Sequence, residues 1–399
     1  MPWMQLPRPG PRRHQETSGA AGWTDVGSGH SLNEDEFALA EAIVDGERVT
    51  MAAVCDGVSH LARSDVAAKV ASAAACGVLE RAAVAAADGA GWDPVQVVAD
   101  AVTAARDAVL DLIRTEFAGC EIPPACTIAV TLVTPTEIVS DSYGDARVYW
   151  VPLDGGPPQR LTVDDSYAQK YIEDAKRREE QLTDEEAENL PYASTITRGL
   201  GNPEIWEEPW RDPDPKRYSP TGRGVVAVVS DGALKRVSDA QLAAAITAPL
   251  NSSPDDRLAA AEAAIRTALA APGSNGTTDN ITVVVIDGPS ALGGSARSGE
   301  TDTDSGSGPT AASATAQATP WSAPAASADS GSPSVASDPR AAAGSPWKAP
   351  DTGVSRTEGS ASLAGAPRDP VSRGAVHRNE LCARRLVRVL RALGDAPGP

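Results

Sequence analysis

The 399 residues of the chain are enough for one to three domains with a substantial core. A formal net charge of −19 argues against nucleic-acid binding as the main activity and is typical of a soluble, acidic protein. The five cysteines form no C-x-x-C pair, and no run reaches the ~18 apolar residues of a membrane helix. The first 20 residues lack the apolar core of a signal peptide. We therefore expect a cytoplasmic protein.

The first predicted elements are two strands that follow a flexible leader, residues 1–21. Residues 37–44 and 49–55 are mostly apolar and are separated by Asp45-Gly46, a pair typical of a hairpin turn. We therefore expect an antiparallel hairpin at the start of the folded unit.

Two helices are predicted after the hairpin. Ser64 and Asp65 predict the cap of a long alanine-rich helix that ends near residue 87. Asp93-Pro94 predicts the start of a second helix, because proline is favoured directly after a capping side chain. Two consecutive strands followed by two consecutive helices disfavour a parallel sheet built from βαβ units.

The middle of the chain predicts three closely spaced strands, residues 127–133, 137–142 and 147–151, which favour an antiparallel meander. Residues 165–190 are charged and have the composition of helices. Residues 202–223 are rich in proline, tryptophan and charge, and they predict an irregular surface loop.

The last part of the folded pattern alternates strand, two helices and strand. We predict a strand over 224–230, helices over 238–247 and 254–270, and a strand over 280–286. The folded unit is expected to close near residue 288.

The composition changes beyond residue 288. Residues 289–375 are dominated by small and polar residues that cannot bury enough apolar area to offset chain entropy, so we predict a disordered linker. Residues 376–399 contain a short basic amphipathic helix, predicted over 379–393, and the terminus. This helix is either marginal and without a partner, or a docking helix for an acidic protein or an anionic membrane surface. The sequence leaves both alternatives open.

Acidic residues mark the ends of four predicted strands. Asp56 and Asp231 each follow a buried strand and precede a glycine, Asp145 lies just beyond a third strand, and Asp279 precedes a fourth. A carboxylate at the end of a buried strand is costly unless a cation or hydrogen bonds compensate it. One such residue is usually a turn or helix cap, but four indicate a common polar site whose oxygen ligands suit Mg²⁺ or Mn²⁺.

The order and local context of the acidic segments resemble the protein phosphatase 2C family, the metal-dependent serine/threonine phosphatases. The resemblance covers roughly residues 22–288, and segments 161–166 and 196–201 agree with it. The acidic segments are Asn33-Glu34-Asp35, Cys55-Asp56-Gly57-Val58, Gly144-Asp145-Ala146-Arg147, Ser230-Asp231-Gly232 and Thr278-Asp279-Asn280-Ile281-Thr282.

The resemblance implies an α+β fold, a four-layer α/β/β/α sandwich of two antiparallel sheets flanked by helices, with the disordered tail following it. It also implies a binuclear Mn²⁺ or Mg²⁺ centre at one edge of the sandwich. By position, Asp56 bridges both ions and the Gly57 carbonyl binds one of them. Asp231 and Asp279 complete the other ion's ligands, so Asp56, Asp231 and Asp279 are the expected catalytic residues.

Three further acids are expected at this centre through the same resemblance. Glu34 and Asp35 act mainly through bound waters. In bacterial members a third ion is held by an aspartate matching Asp145, together with the one matching Asp231. The alternative for Asp145 is a turn residue next to Arg147.

The chain departs from the family pattern where substrate phosphate binds. The family commonly has an arginine where this chain has His30, a side chain that is only partly charged at neutral pH. Val58 stands where eukaryotic members have a histidine, so the leaving oxygen is expected to take its proton from water. Ser59-His60 replaces a glycine pair, and His60 is a second candidate for contact with substrate, against simple surface placement.

The implied activity is hydrolysis of phosphoserine or phosphothreonine on proteins by a metal-activated water, without a covalent intermediate. The expected partners are a phosphoprotein substrate and a serine/threonine kinase or its targets. Two alternatives remain: a pseudophosphatase that keeps the fold as a binding module, and an adaptor that recruits a partner through the tail.

Overall fold

Two antiparallel sheets form the body of the structure, a computed structural model that describes residues 10–273 and 276–289. Its strands are β1 (Arg12–Glu16), β2 (Ala20–Asp25), β3 (Glu36–Val44), β4 (Glu47–Cys55), β5 (Ile128–Val133), β6 (Ile138–Tyr143), β7 (Arg147–Pro152), β8 (Gln159–Arg160), β9 (Lys216–Tyr218), β10 (Gly224–Val229) and β11 (Ile281–Asp287). The six-stranded sheet has the order β1-β2-β11-β10-β7-β8, and the five-stranded sheet has the order β3-β4-β5-β6-β9. The predicted linker beyond residue 289 and the predicted terminal helix lie outside the described residues.

The described residues contain six α-helices, of which the first two and the last two cover the outer faces of the sheets. They are α1 (Ser64–Ala87), α2 (Pro94–Glu116), α3 (Tyr167–Arg177), α4 (Asp184–Glu188), α5 (Asp239–Ser252) and α6 (Arg257–Leu269). Helices α1 and α2 share a buried apolar cluster with the five-stranded sheet, and α5 and α6 share another with the six-stranded sheet. A third cluster, which includes Phe37, Val54, Trp150 and Val284, fills the space between the sheets. The predicted four-layer α/β/β/α sandwich is confirmed.

Helix α1 lies in the core against α2 and strands β3 and β4. Its 24 residues would by length and composition alone suffice to cross a membrane. Alanines 67, 68, 71 and 75 are fully buried, because small side chains allow the helix to approach the sheet closely. The predicted cap was wrong in detail: Arg63 occupies the N-cap with φ of 53°, and Ser64 is the first helical residue.

The predicted meander was wrong for its third strand. Strands β5 and β6 pair as expected, but β7 belongs to the other sheet and pairs with β10. Gly144, with φ of 96°, permits the sharp turn between β6 and β7. The chain therefore crosses from one sheet to the other at Asp145, and this crossing places Asp145 at the sheet edge that carries the other acids.

Ordered structure begins earlier than the predicted leader allowed. Strand β1 pairs with β2 along its whole length, so residues 12–16 and 20–21 of the predicted leader belong to the sheet. The Arg12 guanidinium donates to Asp25, and the Arg13 guanidinium lies 4.6 Å from the centre of the Phe37 ring. Backbone pairing and these contacts hold a segment whose polar composition gave no strand signal. In the predicted surface loop, residues 202–223, β9 forms an edge strand beside β6.

Candidate active site

Strand pairing brings the predicted acids to one edge of the sandwich. In the five-stranded sheet Glu36 pairs with Cys55, so Asp35 and Asp56 are the next residues at the same end. In the six-stranded sheet Val229 pairs with both Val283 and Arg147. Segments 230–231, 279–282 and 145–147 therefore meet at the corresponding end of that sheet. The register of buried strands, rather than any loop, sets the position of the site.

Asp56 lies at the centre of this group. Its backbone N–H donates to Thr127 Oγ1 at 3.1 Å, and its carbonyl accepts from Thr127 N–H at 2.8 Å, so its main chain is held on both sides. Asp56 is partly exposed to solvent, although its carboxyl is surrounded by other acidic residues. Burial, followed by the charges of Asp35, Asp231, Asp145 and Asp279, raises its pKa well above the ordinary value.

Asp35 is almost fully buried, and only one of its two carboxylate oxygens accepts hydrogen bonds from the described residues. Its Oδ2 accepts from Ser230 Oγ at 2.6 Å and from Thr282 Oγ1 at 2.9 Å. Its Oδ1 has no hydrogen-bond partner among the described residues. Burial raises the pKa of Asp35 to about 7, although the two hydroxyl donors oppose that rise.

Two more buried carboxylate oxygens at this edge, Asp145 Oδ1 and Asp231 Oδ1, lack a hydrogen-bond partner in the part of the chain that the structure describes. Burial, then the charge of Asp231, raises the pKa of Asp145. The charge of Arg147 opposes this rise only in part, because its guanidinium binds Asp164 at 2.8 Å and Glu188 at 2.9 Å. Asp145 is therefore both the turn residue between β6 and β7 and a member of the acidic group.

Glu34 extends the acidic group towards the surface turn that follows Asp56. Its backbone N–H donates to Asn280 Oδ1 at 2.8 Å, while Asn280 Nδ2 donates to the Val26 carbonyl at 2.8 Å. Asn280 thus ties the Glu34 segment to the start of β11. Burial raises the pKa of Glu34 to about 7, with a hydrogen bond from Ser59 opposing it. His60, in the same turn as Ser59, is exposed.

Glycines allow the acidic segments to approach each other. A Cβ on Gly57 would lie 2.7 Å from the Glu34 carbonyl oxygen, and one on Gly232 would lie 1.9 Å from the Asn280 carbonyl oxygen. Any side chain at these two positions would push the backbone segments apart. The glycine after Asp56 and the glycine after Asp231 are therefore required by packing at the site itself.

Asp279 is paired with two basic side chains. His30 Nε2 lies 2.7 Å from Asp279 Oδ1, and the Lys235 ammonium contacts Asp279 Oδ2. Lys235 Nζ also lies 3.0 Å from Asp231 Oδ2. Burial alone would raise the pKa of Asp279, but the charge of Lys235 outweighs it and lowers that pKa. Lys235 was not predicted as a site residue from the sequence. Its position four residues after Asp231 was the feature that could have indicated the contact.

The chemistry of the site fits a divalent cation, because three buried carboxylate oxygens, those of Asp35, Asp145 and Asp231, have no hydrogen-bond partner in the described part of the chain. Within residues 10–273 and 276–289, however, no group of three or more acidic, histidine or cysteine side chains is placed so that it could hold a metal ion as the side chains now stand. The acids share one edge, and Lys235 pairs with two of them there.

Comparison with known proteins agrees with this architecture. The family model described as protein phosphatase 2C matches residues 27–270. The solved serine/threonine phosphatase PstP/Ppp of Mycobacterium tuberculosis is 24% identical, with 69% of this chain and 98% of that chain covered and a TM-score of 0.51. The PPM Ser-Thr phosphatase MsPP of Mycobacterium smegmatis, solved in complex with cacodylate, is 26% identical, with 69% and 100% covered and a TM-score of 0.50. Stp1 of Staphylococcus aureus is 18% identical, with 68% and 95% covered and a TM-score of 0.52. No curated protein matches the sequence significantly.

Proposed function

Because the chain belongs to the protein phosphatase 2C family, we propose that it hydrolyses phosphoserine and phosphothreonine on proteins at a pair of divalent cations held by this acidic edge. The family is a metal-dependent serine/threonine phosphatase family. The observation that carries the proposal is the set of buried, unpartnered oxygens of Asp35, Asp145 and Asp231 around Asp56. Ionised carboxylates this close repel one another, and a divalent cation would offset that repulsion.

The residues that would hold Mn²⁺ or Mg²⁺ follow from position. Asp56 would contact both ions, with the Gly57 carbonyl on one and Asp231 and Asp279 on the other. Glu34 and Asp35 would act through water, and Asp145 with Asp231 would hold a third ion. When bound, such ions acidify water near neutral pH and offset the charge of the phosphoryl oxygens.

The chain's own contribution is to fix the acids before substrate arrives. Thr127 holds the Asp56 backbone, Ser230 and Thr282 hold one oxygen of Asp35, and Asn280 holds the Glu34 segment. A prepositioned group of this kind does not have to reorganise during the reaction. Val58 supplies no proton donor beside Asp56, so the leaving oxygen takes its proton from water.

A binding module without catalysis is the second candidate, and one observation favours it. The Lys235 ammonium already pairs with Asp231 and Asp279, two of the acids that a catalytic metal pair would need. A pseudophosphatase or adaptor would keep the fold and the ion pairs without turning over substrate. The two candidates differ in whether metal binding leads to hydrolysis.

Turnover of a phosphothreonine peptide by the full chain tests the proposed function. We expect release of inorganic phosphate that requires Mn²⁺ and stops when EDTA is added, because the buried acids cannot activate water without a cation. Metal binding measured by calorimetry is the matched control. Metal binding without release of phosphate from any of several phosphopeptides would support the binding module instead.

Replacing His30 with arginine is expected to lower the KM for a phosphopeptide by roughly fivefold, about 1 kcal/mol, since a guanidinium can bind phosphate through two hydrogen bonds. His30 lies beside Asp279 with about a third of its side chain exposed, so a longer side chain can reach outward. The exchange His60→Arg is the comparison for the second candidate. An unchanged or higher KM in His30→Arg would show that position 30 does not contact the substrate phosphate.

The substrate is proposed to be a phosphoprotein, including targets of a serine/threonine kinase. We also propose a reducing, cytoplasmic location. The free thiols of Cys55, Cys76, Cys120 and Cys126 support it within the described residues.

A further inference from the structure

Lys235 is held above the acidic edge by the backbone that follows β10. A short 3₁₀ turn spans Asp231–Ala233, and the Lys235 N–H donates to the Asp231 carbonyl at 3.1 Å. This turn places the lysine side chain over Asp231, four residues earlier. Its ammonium lies 3.0 Å from Asp231 Oδ2 and contacts Asp279 Oδ2. The position of the charge is therefore set by local backbone geometry.

The two carboxylates that Lys235 contacts come from different strands. Asp231 follows β10 and Asp279 precedes β11, and both side chains are about four-fifths buried. One ammonium thus offsets repulsion between two acids that the sheet register forces together. A lysine side chain is an ammonium at neutral pH, so Lys235 brings a positive charge to both carboxylates.

We propose that Lys235 competes with the divalent cation for Asp231 and Asp279, and that its ammonium must leave these oxygens before the ion can bind them. The proposal rests on the proposed function, because it concerns the same metal centre. An ammonium is a single charge on a flexible stem, whereas a divalent cation brings twice the charge to the same oxygens. The Lys235 side chain is 45% exposed, so it has open solvent into which it can swing.

Two consequences separate this role from that of an ordinary surface ion pair. First, Lys235 stabilises the protein before metal binds, because it offsets repulsion among buried acids. Second, it lowers metal affinity, because part of the binding energy is used to break its two ion pairs. Lys216 and Asp214 offer the contrast, since both side chains are about 70% exposed and neither belongs to the acidic edge.

The test is a calorimetric titration of Mn²⁺ into the full chain after removal of metal with EDTA. We compare the wild type with Lys235→Met, which keeps the apolar stem and removes the charge, and with Lys216→Met as the matched control. We expect the Kd of Lys235→Met to fall at least tenfold and its melting temperature without metal to decrease. Lys216→Met should match the wild type in both measurements.

Equal affinities in the wild type and Lys235→Met would overturn the competition while leaving the proposed function standing. If neither protein bound Mn²⁺, both the competition and the proposed metal centre would fail. Lys235→Gln serves as a second uncharged variant should Lys235→Met not fold, as judged by circular dichroism. Lys235→Arg, which keeps the charge, is expected to retain the weaker affinity of the wild type.

Discussion

Replacing Asp56 with asparagine is expected to reduce Mn²⁺-dependent turnover of a phosphothreonine peptide by ~10³-fold or more, which corresponds to about 4 kcal/mol of lost transition-state stabilisation. The charges of four neighbouring aspartates all raise the pKa of Asp56, which therefore lies at the centre of the acidic group. Its own charge is central to the proposed binding of two cations. Asparagine has nearly the same size but cannot carry the charge that joins two ions. The measurement is the initial rate of phosphate release at saturating Mn²⁺.

The same substitution is expected to stabilise the protein when metal is chelated. Asp56 is surrounded by Asp35, Asp231, Asp145 and Asp279, and removing one charge from this group reduces repulsion. Its backbone hydrogen bonds to Thr127 do not involve the carboxyl and should persist. A higher melting temperature in EDTA together with lost turnover would show that the acid serves function at a cost in stability.

Asp287→Asn is the matched control for Asp56→Asn. Asp287 lies at the opposite end of β11 and pairs with Arg257 at 2.9 Å, far along the strand from Asp279. Its loss should leave turnover within about twofold of the wild type, since surface ion pairs contribute ~1 kcal/mol or less. Turnover in Asp56→Asn close to that of the control would exclude Asp56 from the catalytic centre.

The position of the acids was predictable because strand ends are visible in sequence. Asp56 and Asp231 each follow a mostly apolar run, and Asp279 precedes one. Once the strands pair in antiparallel register, their ends must coincide, so the acids converge without information from the loops. The α+β sandwich followed from the same strand and helix order.

The sheet to which β7 belongs was not predictable from its spacing. Short connections favour pairing between consecutive strands, yet the turn at Gly144 and Asp145 sends β7 to the partner sheet. Both sheets bury apolar side chains on the shared inner face, so the apolar pattern of β7 is equally compatible with either. The choice between sheets depends on tertiary packing.

Lys235 escaped prediction for a different reason. A lysine after a helical turn is an ordinary surface residue, and its sequence neighbours give no indication of Asp279, which lies 44 positions later. Its role depends on two strands that meet only in the folded chain. A residue such as Lys235, which contacts the site from outside the predicted acidic segments, therefore cannot be found from the sequence pattern.

The stability of the chain in EDTA is expected to fall as the pH rises from about 4 to about 7. Asp35 has an ordinary pKa of 3.8, which burial raises to about 7 in the folded protein, and the pKa of Glu34 rises to about 7 for the same reason. Between these limits the folded state keeps protons that the unfolded state has released. Unfolding then releases protons, so the free energy of unfolding decreases with pH.

The size of this effect follows from the shift at Asp35. A rise of about three pKa units corresponds to on the order of 4 kcal/mol, or roughly 10 °C in melting temperature for a domain of this size. Asp279 does not contribute to this trend, because its pKa is lowered and its stabilising contribution is lost only as the pH falls below about 4. Melting curves at matched ionic strength across this range provide the measurement.

Excess Mn²⁺ should reverse the trend, because a cation that binds the ionised acids stabilises the folded state most where they have lost their protons. The increase in melting temperature caused by Mn²⁺ is therefore expected to grow with pH and to be largest near pH ~8. Asp35→Asn, which removes the buried acid and keeps its size, should show a flatter pH dependence in EDTA than the wild type. A wild-type melting temperature in EDTA that is constant or rises across this pH range would contradict the prediction. It would mean that Asp35 and Glu34 are ionised in the folded chain. Partners other than a metal ion would then offset the cost of burying them.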